Sequence, residues 1–229
     1  MKTFSEFFSS SVFKIFGSAA LIIPLYFVIL GARRPGFSNQ TLATLTCAAV
    51  LLLFGGLQVL QKGWAVPLAL AVSVVGDYFL STRHGIPNTF IKGIACFFVA
   101  HALFTTFFIL NGRHGVIRWA ALGVGLAGGL IYYFVRLLPH ISAAPMRVAV
   151  LLYLVISFCS LAFALDLNAP LIPLAIIVLG VMTLLFSDTL IAEQVFAGRA
   201  GKLPIIPTYL ASHMLITVGT LFSFYFKKI

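Results

Sequence analysis

Long apolar runs alternate with short breaks of Gly, Pro, Lys and Arg, and the breaks divide the chain into segments at about 12–31, 40–60, 64–82, 92–111, 116–138, 146–166, 170–190 and 207–226. A helix needs about 20 predominantly apolar residues to cross the hydrocarbon of a bilayer. The pattern therefore predicts an all-α integral membrane protein, a bundle of eight transmembrane helices forming one domain over residues 1–229. An even number of crossings puts both termini on one side. Ahead of the first segment, Phe4, Phe7 and Phe8 among polar residues predict an amphipathic lead-in over residues 1–11, lying along the membrane surface. The run from Val12 to Leu30 is too long for a signal-peptide core and is followed by no small-residue cleavage site, so it is expected to be a retained span.

Composition agrees with the pattern. Of 229 residues, 61% are hydrophobic and 9% charged, and mean hydropathy is +1.11, whereas roughly a quarter of the residues of a soluble domain are charged. Little length remains for a soluble catalytic domain, so any chemistry is expected in or beside the bilayer. The net charge of +10 does not point to nucleic acid, because the basic residues sit in ones and twos beside span ends, where cations meet anionic headgroups. Seven Lys and Arg fall on the side of the termini and eight on the other, which leaves the orientation open. The expected location is an integral, multi-pass one, the inner or plasma membrane if the chain is bacterial. Cys47, Cys96 and Cys159 lie in three different apolar runs without metal or redox spacing and read as small core residues. The run Gly123-Val124-Gly125-Leu126-Ala127-Gly128 spells a dinucleotide fingerprint, but it lies inside an apolar helix, where Gly125 and Gly129 suit close helix packing instead.

Two carboxylates change the picture. Asp77, in Val74-Val75-Gly76-Asp77-Tyr78-Phe79-Leu80, and Asp188, in Leu185-Phe186-Ser187-Asp188-Thr189-Leu190, are flanked by apolar residues and have no Lys or Arg one helical turn away. A charge within a span costs at least a few kcal/mol unless it has a partner or a task. Asp166 and Glu193, by contrast, fall at span ends, where water and headgroups are expected to solvate them. Asp77 precedes His101 by 24 residues and Asp188 precedes His213 by 25. Spans three and four and spans seven and eight thus echo each other, as a weak 4+4 parallel repeat would. With or without common ancestry, all four residues fall toward the membrane face opposite the termini, with the histidines roughly 10 to 15 Å deep. They are expected to meet in one cavity. Ser73 lies four before Asp77, Thr105 four after His101, and Ser212 adjoins His213, so hydrogen-bonding groups share those faces. Phe97 belongs to the same stripe as His101 and suits the wall of an acyl-chain slot, while Tyr78, Tyr153 and Tyr209 offer hydroxyls to a polar headgroup or to the interface.

At these residues the chain resembles the YhhN family of multi-pass membrane proteins, which includes the lysoplasmalogenases. The likeness rests on Gly76-Asp77 with Leu80, on the helix pattern Phe90, Gly93, Phe97, His101 and Phe104, and on Phe186-Ser187-Asp188 with Leu190 and Ala192. It continues more weakly through Pro145, Arg147, Tyr153, Thr208 and Tyr209. The resemblance implies hydrolysis of the vinyl ether bond of a lysoplasmalogen, a lysophospholipid, to a fatty aldehyde and glycerophosphoethanolamine or glycerophosphocholine. It implies Asp77, Asp188 and His101 as catalytic residues. Ser73, Tyr78, Phe97, Thr105, Tyr153, Ser187, Tyr209 and His213 are then candidates for substrate binding.

The residues suit that chemistry on their own account. A vinyl ether is cleaved by protonating its outer alkene carbon, and the resulting oxocarbenium ion is captured by water. That asks for an acid and an anion together, and two neighbouring carboxyl groups do not readily both ionise, so one keeps a proton while the other stabilises the cation. His101 would orient an acid or relay a proton. Neither a metal nor an organic cofactor is required. Two other classes stay open: a metal-dependent intramembrane lipid hydrolase with Asp77, Asp188, His101 and His213 as ligands, and a transporter of small solutes or lipids. No tight pair such as His-x3-His favours the first, and the clustering of the acids toward one face disfavours the second.

Overall fold

A computed structural model describes residues 11–81, 89–199 and 203–226. The lead-in expected over residues 1–11 lies almost wholly outside them. The described chain folds into nine α-helices: α1 (Ser11–Ala20), α2 (Ile22–Arg33), α3 (Phe37–Gln58), α4 (Ala65–Ser81), α5 (Thr89–Leu110), α6 (Ile117–Tyr132), α7 (Ala144–Ala164), α8 (Leu171–Val195) and α9 (Ile205–Tyr225). Seven units are long and apolar enough to cross a membrane, the first of them running through α1 and α2 from Lys14 to Arg33. The segment expected at 64–82 forms α4, which has 17 residues and is shorter than the rest.

The breaks have local causes. The first span is interrupted at Leu21, which leaves Pro24 in the first turn of α2; there its missing N–H would have had no helical partner in any case. Within α3, Gly56 adopts φ 54°, a left-handed conformation that a side chain disfavours, and the helix kinks there before a π-helical turn at Val59–Gly63. One expected boundary moves: α8 continues to Val195 instead of ending near residue 190. Asp188 therefore sits about two turns inside the helix, not at its end.

In lipid the hydrophobic effect gives helices little reason to associate, so contact depends on how closely their backbones approach. The most intimate pair, α8 and α9, meets through glycines. A Cβ on Gly219 would lie 2.9 Å from the Ile177 nitrogen, and one on Gly180 would lie 3.0 Å from the Ile216 nitrogen. Likewise Gly125 and Gly129 in α6 give their space to the Phe158 ring of α7, the packing expected of the fingerprint-like run. Helices α4 and α5 form the second close antiparallel pair. Between the pairs lies the main core, with Phe104, Phe107, Phe108, Leu51, Leu70, Ile177 and Ile216 fully buried.

Alternation of helix direction brings the connections together in two groups. At one end, Asn111 donates to the Lys62 carbonyl and Asn168 N to the Asn111 carbonyl, joining three connections. The other end holds the C-terminus of α4, the N-termini of α3 and α9, and the C-terminus of α8, and it is there that the two acids lie.

Asp166 and Glu193, expected to be solvated, are instead buried and satisfied by protein. The Asp166 carboxylate accepts the Gly115 N–H at 3.1 Å from each oxygen, with Arg118 3.7 Å away. Glu193 takes Arg136 through Nε at 3.3 Å and Nη2 at 3.1 Å, and the Tyr132 hydroxyl at 2.9 Å. Their partners come from other helices or loops, which spacing along one helix does not reveal.

Candidate active site

Asp77 and Asp188 line one cavity of about 290 Å³, together with Phe97, Tyr209, Gln40 and Gln194. Five helices build it. Helix α4 carries Asp77 and α8 carries Asp188, α3 adds Gln40, and α5 adds Phe97. Gly76 makes that possible: a Cβ there would lie 2.9 Å from the Phe97 ring, so the glycine beside the acid lets the aromatic ring approach. Tyr209, in the first turns of α9, closes the remaining side.

Each acid is held by its own tyrosine. The Tyr209 hydroxyl donates to Asp77 Oδ2 at 2.9 Å, and the Tyr153 hydroxyl of α7 donates to Asp188 Oδ2 at 2.8 Å. Asp188 Oδ2 also lies 3.3 Å from His101 Nε2. Nothing bonds the two carboxyls to each other among the described residues, and Oδ1 of each has no protein partner there. The two acids thus share a void and not a direct proton bridge. Their exposures differ: Asp77 is buried, whereas Asp188 is partly exposed.

His101 is fixed from behind. Its Nδ1 lies 3.3 Å from Ser160 Oγ, and that oxygen is also 3.0 Å from the His101 carbonyl oxygen. Thr105 Oγ1 donates to the same carbonyl at 2.8 Å and meets Ser160 Oγ at 2.9 Å. With Nδ1 committed to Ser160, Nε2 is the nitrogen that faces Asp188. One hydroxyl hydrogen serves one acceptor: an ionised Asp188 only accepts and so pairs with Nε2–H, and Ser160 then gives its hydrogen to Nδ1 and leaves the His101 carbonyl to Thr105.

The other candidates divide. Tyr153, Tyr209 and Phe97 are in the site, the two tyrosines as partners of the acids. Thr105 acts through Ser160 and His101 from outside the cavity. Ser73 is buried on α4 and donates to the Ala69 carbonyl. Ser187 is buried and donates to the Ile205 carbonyl, tying α8 to the start of α9. His213 is wholly buried behind Tyr209, the rings 4.3 Å apart, with Nδ1 3.1 Å from Thr44 Oγ1. Tyr78 is half-exposed and stacks edge-on with Phe37; it does not line the cavity.

Sequence reasoning missed Ser160, Gln40 and Gln194. Ser160 had a signal: Tyr153, Ser157 and Ser160 follow one another at spacings of four and three, a polar stripe on one face of an apolar helix. Gln40 and Gln194 had none, since they come from helix ends that meet only in three dimensions.

Among the described residues, no three His, Cys, Asp or Glu side chains come close enough to share a metal ion. His213 stacks on the Tyr209 ring and is engaged with Thr44, and the four residues considered as a ligand set do not form such a group.

Comparison with curated proteins and with solved structures gives no match to this chain. The family model that does match covers residues 34–220, which include every residue that lines the cavity, and by that match the chain belongs to the YhhN family.

Proposed function

We propose that this protein is a membrane-embedded hydrolase that cleaves the vinyl ether bond of lysoplasmalogens, releasing a fatty aldehyde and a glycerophospho-alcohol. The observation that carries the reading is the pair of aspartates facing one cavity in an apolar bundle, each steadied by a tyrosine hydroxyl. Family membership is consistent with it.

Hydrogen bonding supports a division of roles. Asp188 Oδ2 receives Tyr153 and, in the Nε2–H form, His101, an arrangement that favours a carboxylate. Asp77 has one donor and less access to water, which suits the acid. In the first step Asp77 gives its proton to the outer alkene carbon, and the positive charge develops on the carbon bonded to oxygen. Asp188 stabilises that oxocarbenium ion and takes a proton from the water that attacks it, giving a hemiacetal. The hemiacetal hydroxyl then returns a proton to Asp77 as the carbon–oxygen bond to glycerol breaks, and Asp188 hands its proton to the departing alcohol. Both groups end as they began. His101 acts on Asp188 without touching substrate and is a positioning residue.

The test uses purified protein in detergent and a lysoplasmalogen in mixed micelles, with aldehyde measured by mass spectrometry. Wild type should release it. Asp77→Asn and Asp188→Asn should each lower the rate by about 10²- to 10⁴-fold, the range of general acid–base and electrostatic contributions. Near-normal turnover by either folded variant would overturn the scheme.

A further inference from the structure

Asp188 borders more than the cavity it shares with Asp77. A neck of about 60 Å³ adjoins it, walled by Leu80, Phe97 and Ile191 on the cavity side and by Val150, Tyr153 and Ala192 on the other. Val150, Tyr153 and Ala192 also line a groove of about 200 Å³ between α6, α7 and α8. The three spaces have Asp188 in common. We infer that the groove between α6, α7 and α8 receives the hydrocarbon chain of the single-chain lipid whose headgroup occupies the cavity beside Asp77. The inference rests on the proposed function and specifies how its substrate lies.

The groove's chemistry selects an apolar occupant. Its polar side chains are already committed: Ser157 donates to the Tyr153 carbonyl, Thr189 to the Leu185 carbonyl, and Tyr132 to Glu193. What remains facing the space is hydrocarbon, save where Tyr153 and Asp188 mark its inner end. The cavity beside Asp77 differs, having the amides of Gln40 and Gln194 near the helix ends, where a headgroup would meet the interface. Along α6 and the π-helical turn Tyr133–Leu137 that continues it, the groove runs from Leu137 back to Gly128, about 13 Å by helical rise, from the site's end of the bundle toward mid-membrane. A lipid tail held by its headgroup at that end points the same way.

Gly128 supplies the opening. It is exposed although it lies in an apolar span, and a Cβ built on it meets nothing within 4 Å. Its neighbour Gly129 is different, since a Cβ there would collide with the Phe158 ring. One glycine therefore packs a helix pair, while the other leaves the groove unobstructed toward the lipid.

Two measurements test this. In the first, wild type and Gly128→Phe are compared on lysoplasmalogens with chains from eight to eighteen carbons, the chain lengths being a choice of probe, and kcat/KM is taken for each. The variant should lower the ratio of long-chain to short-chain kcat/KM at least tenfold; an unchanged ratio would overturn the chain assignment. In the second, wild type is irradiated with a non-hydrolysable lysophospholipid bearing a diazirine at its chain end, and labels competed away by unlabelled lysolipid are mapped. Labels on α6 and α7 near Gly128 and Phe158 support the assignment, even if the protein releases no aldehyde, in which case the proposed reaction fails and the binding groove stands. Labels confined to Phe37, Ile205 and Ile206 around the headgroup cavity would overturn the groove, and aldehyde release in the same preparation would leave the reaction intact.

Discussion

Tyr153→Phe removes one oxygen from the site and so isolates what holds Asp188 in its working state. The lost contact is the 2.8 Å hydrogen bond to Asp188 Oδ2, and His101 Nε2, 3.3 Å from the same oxygen, is left as the other partner. A hydrogen bond to a charged group contributes about 1.5–3 kcal/mol net. At 1.36 kcal/mol for each factor of ten, that is roughly a 10- to 150-fold loss in any step that needs the Asp188 charge. KM should change little, because the ring that lines the neck and groove is kept. Aldehyde release coupled to NADH consumption gives both constants. The companion variant Tyr153→Phe with His101→Gln removes the remaining ring donor from the same carboxylate. Its loss should differ from the sum of the single losses, since residues that share a partner are coupled. Refutation would be a Tyr153→Phe enzyme within twofold of wild type, or losses that add as if the two residues never met.

Three other outcomes are expected. Asp166→Asn leaves one oxygen to accept the Gly115 N–H but sets an NH2 in place of the other and removes the charge facing Arg118, and the variant should unfold more readily by about 1–2 kcal/mol, seen as a lower midpoint in a detergent melt; an unchanged midpoint would show that the loop does not depend on this cap. Gly219→Ala sets a methyl 2.9 Å from the Ile177 nitrogen and should cost about 1–3 kcal/mol in the same melt. EDTA should leave aldehyde release intact, whereas a loss restored by zinc would favour metal-dependent chemistry.

The helices could be read from the chain because each is a long apolar run ended by Gly, Pro or a cation, and a span's existence depends on little else. Their exact ends could not. Helix α8 runs on through Ile191, Ala192 and Glu193 because Glu193 finds Arg136 and Tyr132 on another helix, a partnership with no trace in the spacing of α8 itself. The two acids stood out for the same reason that makes them costly: an ionisable group in an apolar run is anomalous wherever it occurs. The tyrosines that complete them were visible only as residues with a hydroxyl, and nothing along the chain links position 153 to 188 or 77 to 209. His213 shows the converse. Its spacing from Asp188 matches that of His101 from Asp77, yet the packing exchanges partners: His101 meets the acid of the other pair, and His213 turns to Thr44 behind the Tyr209 ring.

That exchange bears on the chemistry. Were the carboxyls bonded to each other, the proton would lie between them and the cavity would meet the pair from one side. Bonded to separate tyrosines and carried on different helices, they line the same void. A planar vinyl ether lying between two walls can be protonated from one face while the carboxylate opposes the developing positive charge from the other. Water then enters on the side where a base is waiting for its proton. Paired carboxylates that act with water between them in glycoside cleavage are likewise set apart to leave it room. In the proposed reaction, the absence of a direct bond between the two carboxyls is therefore what would let two identical groups take opposite tasks on one substrate.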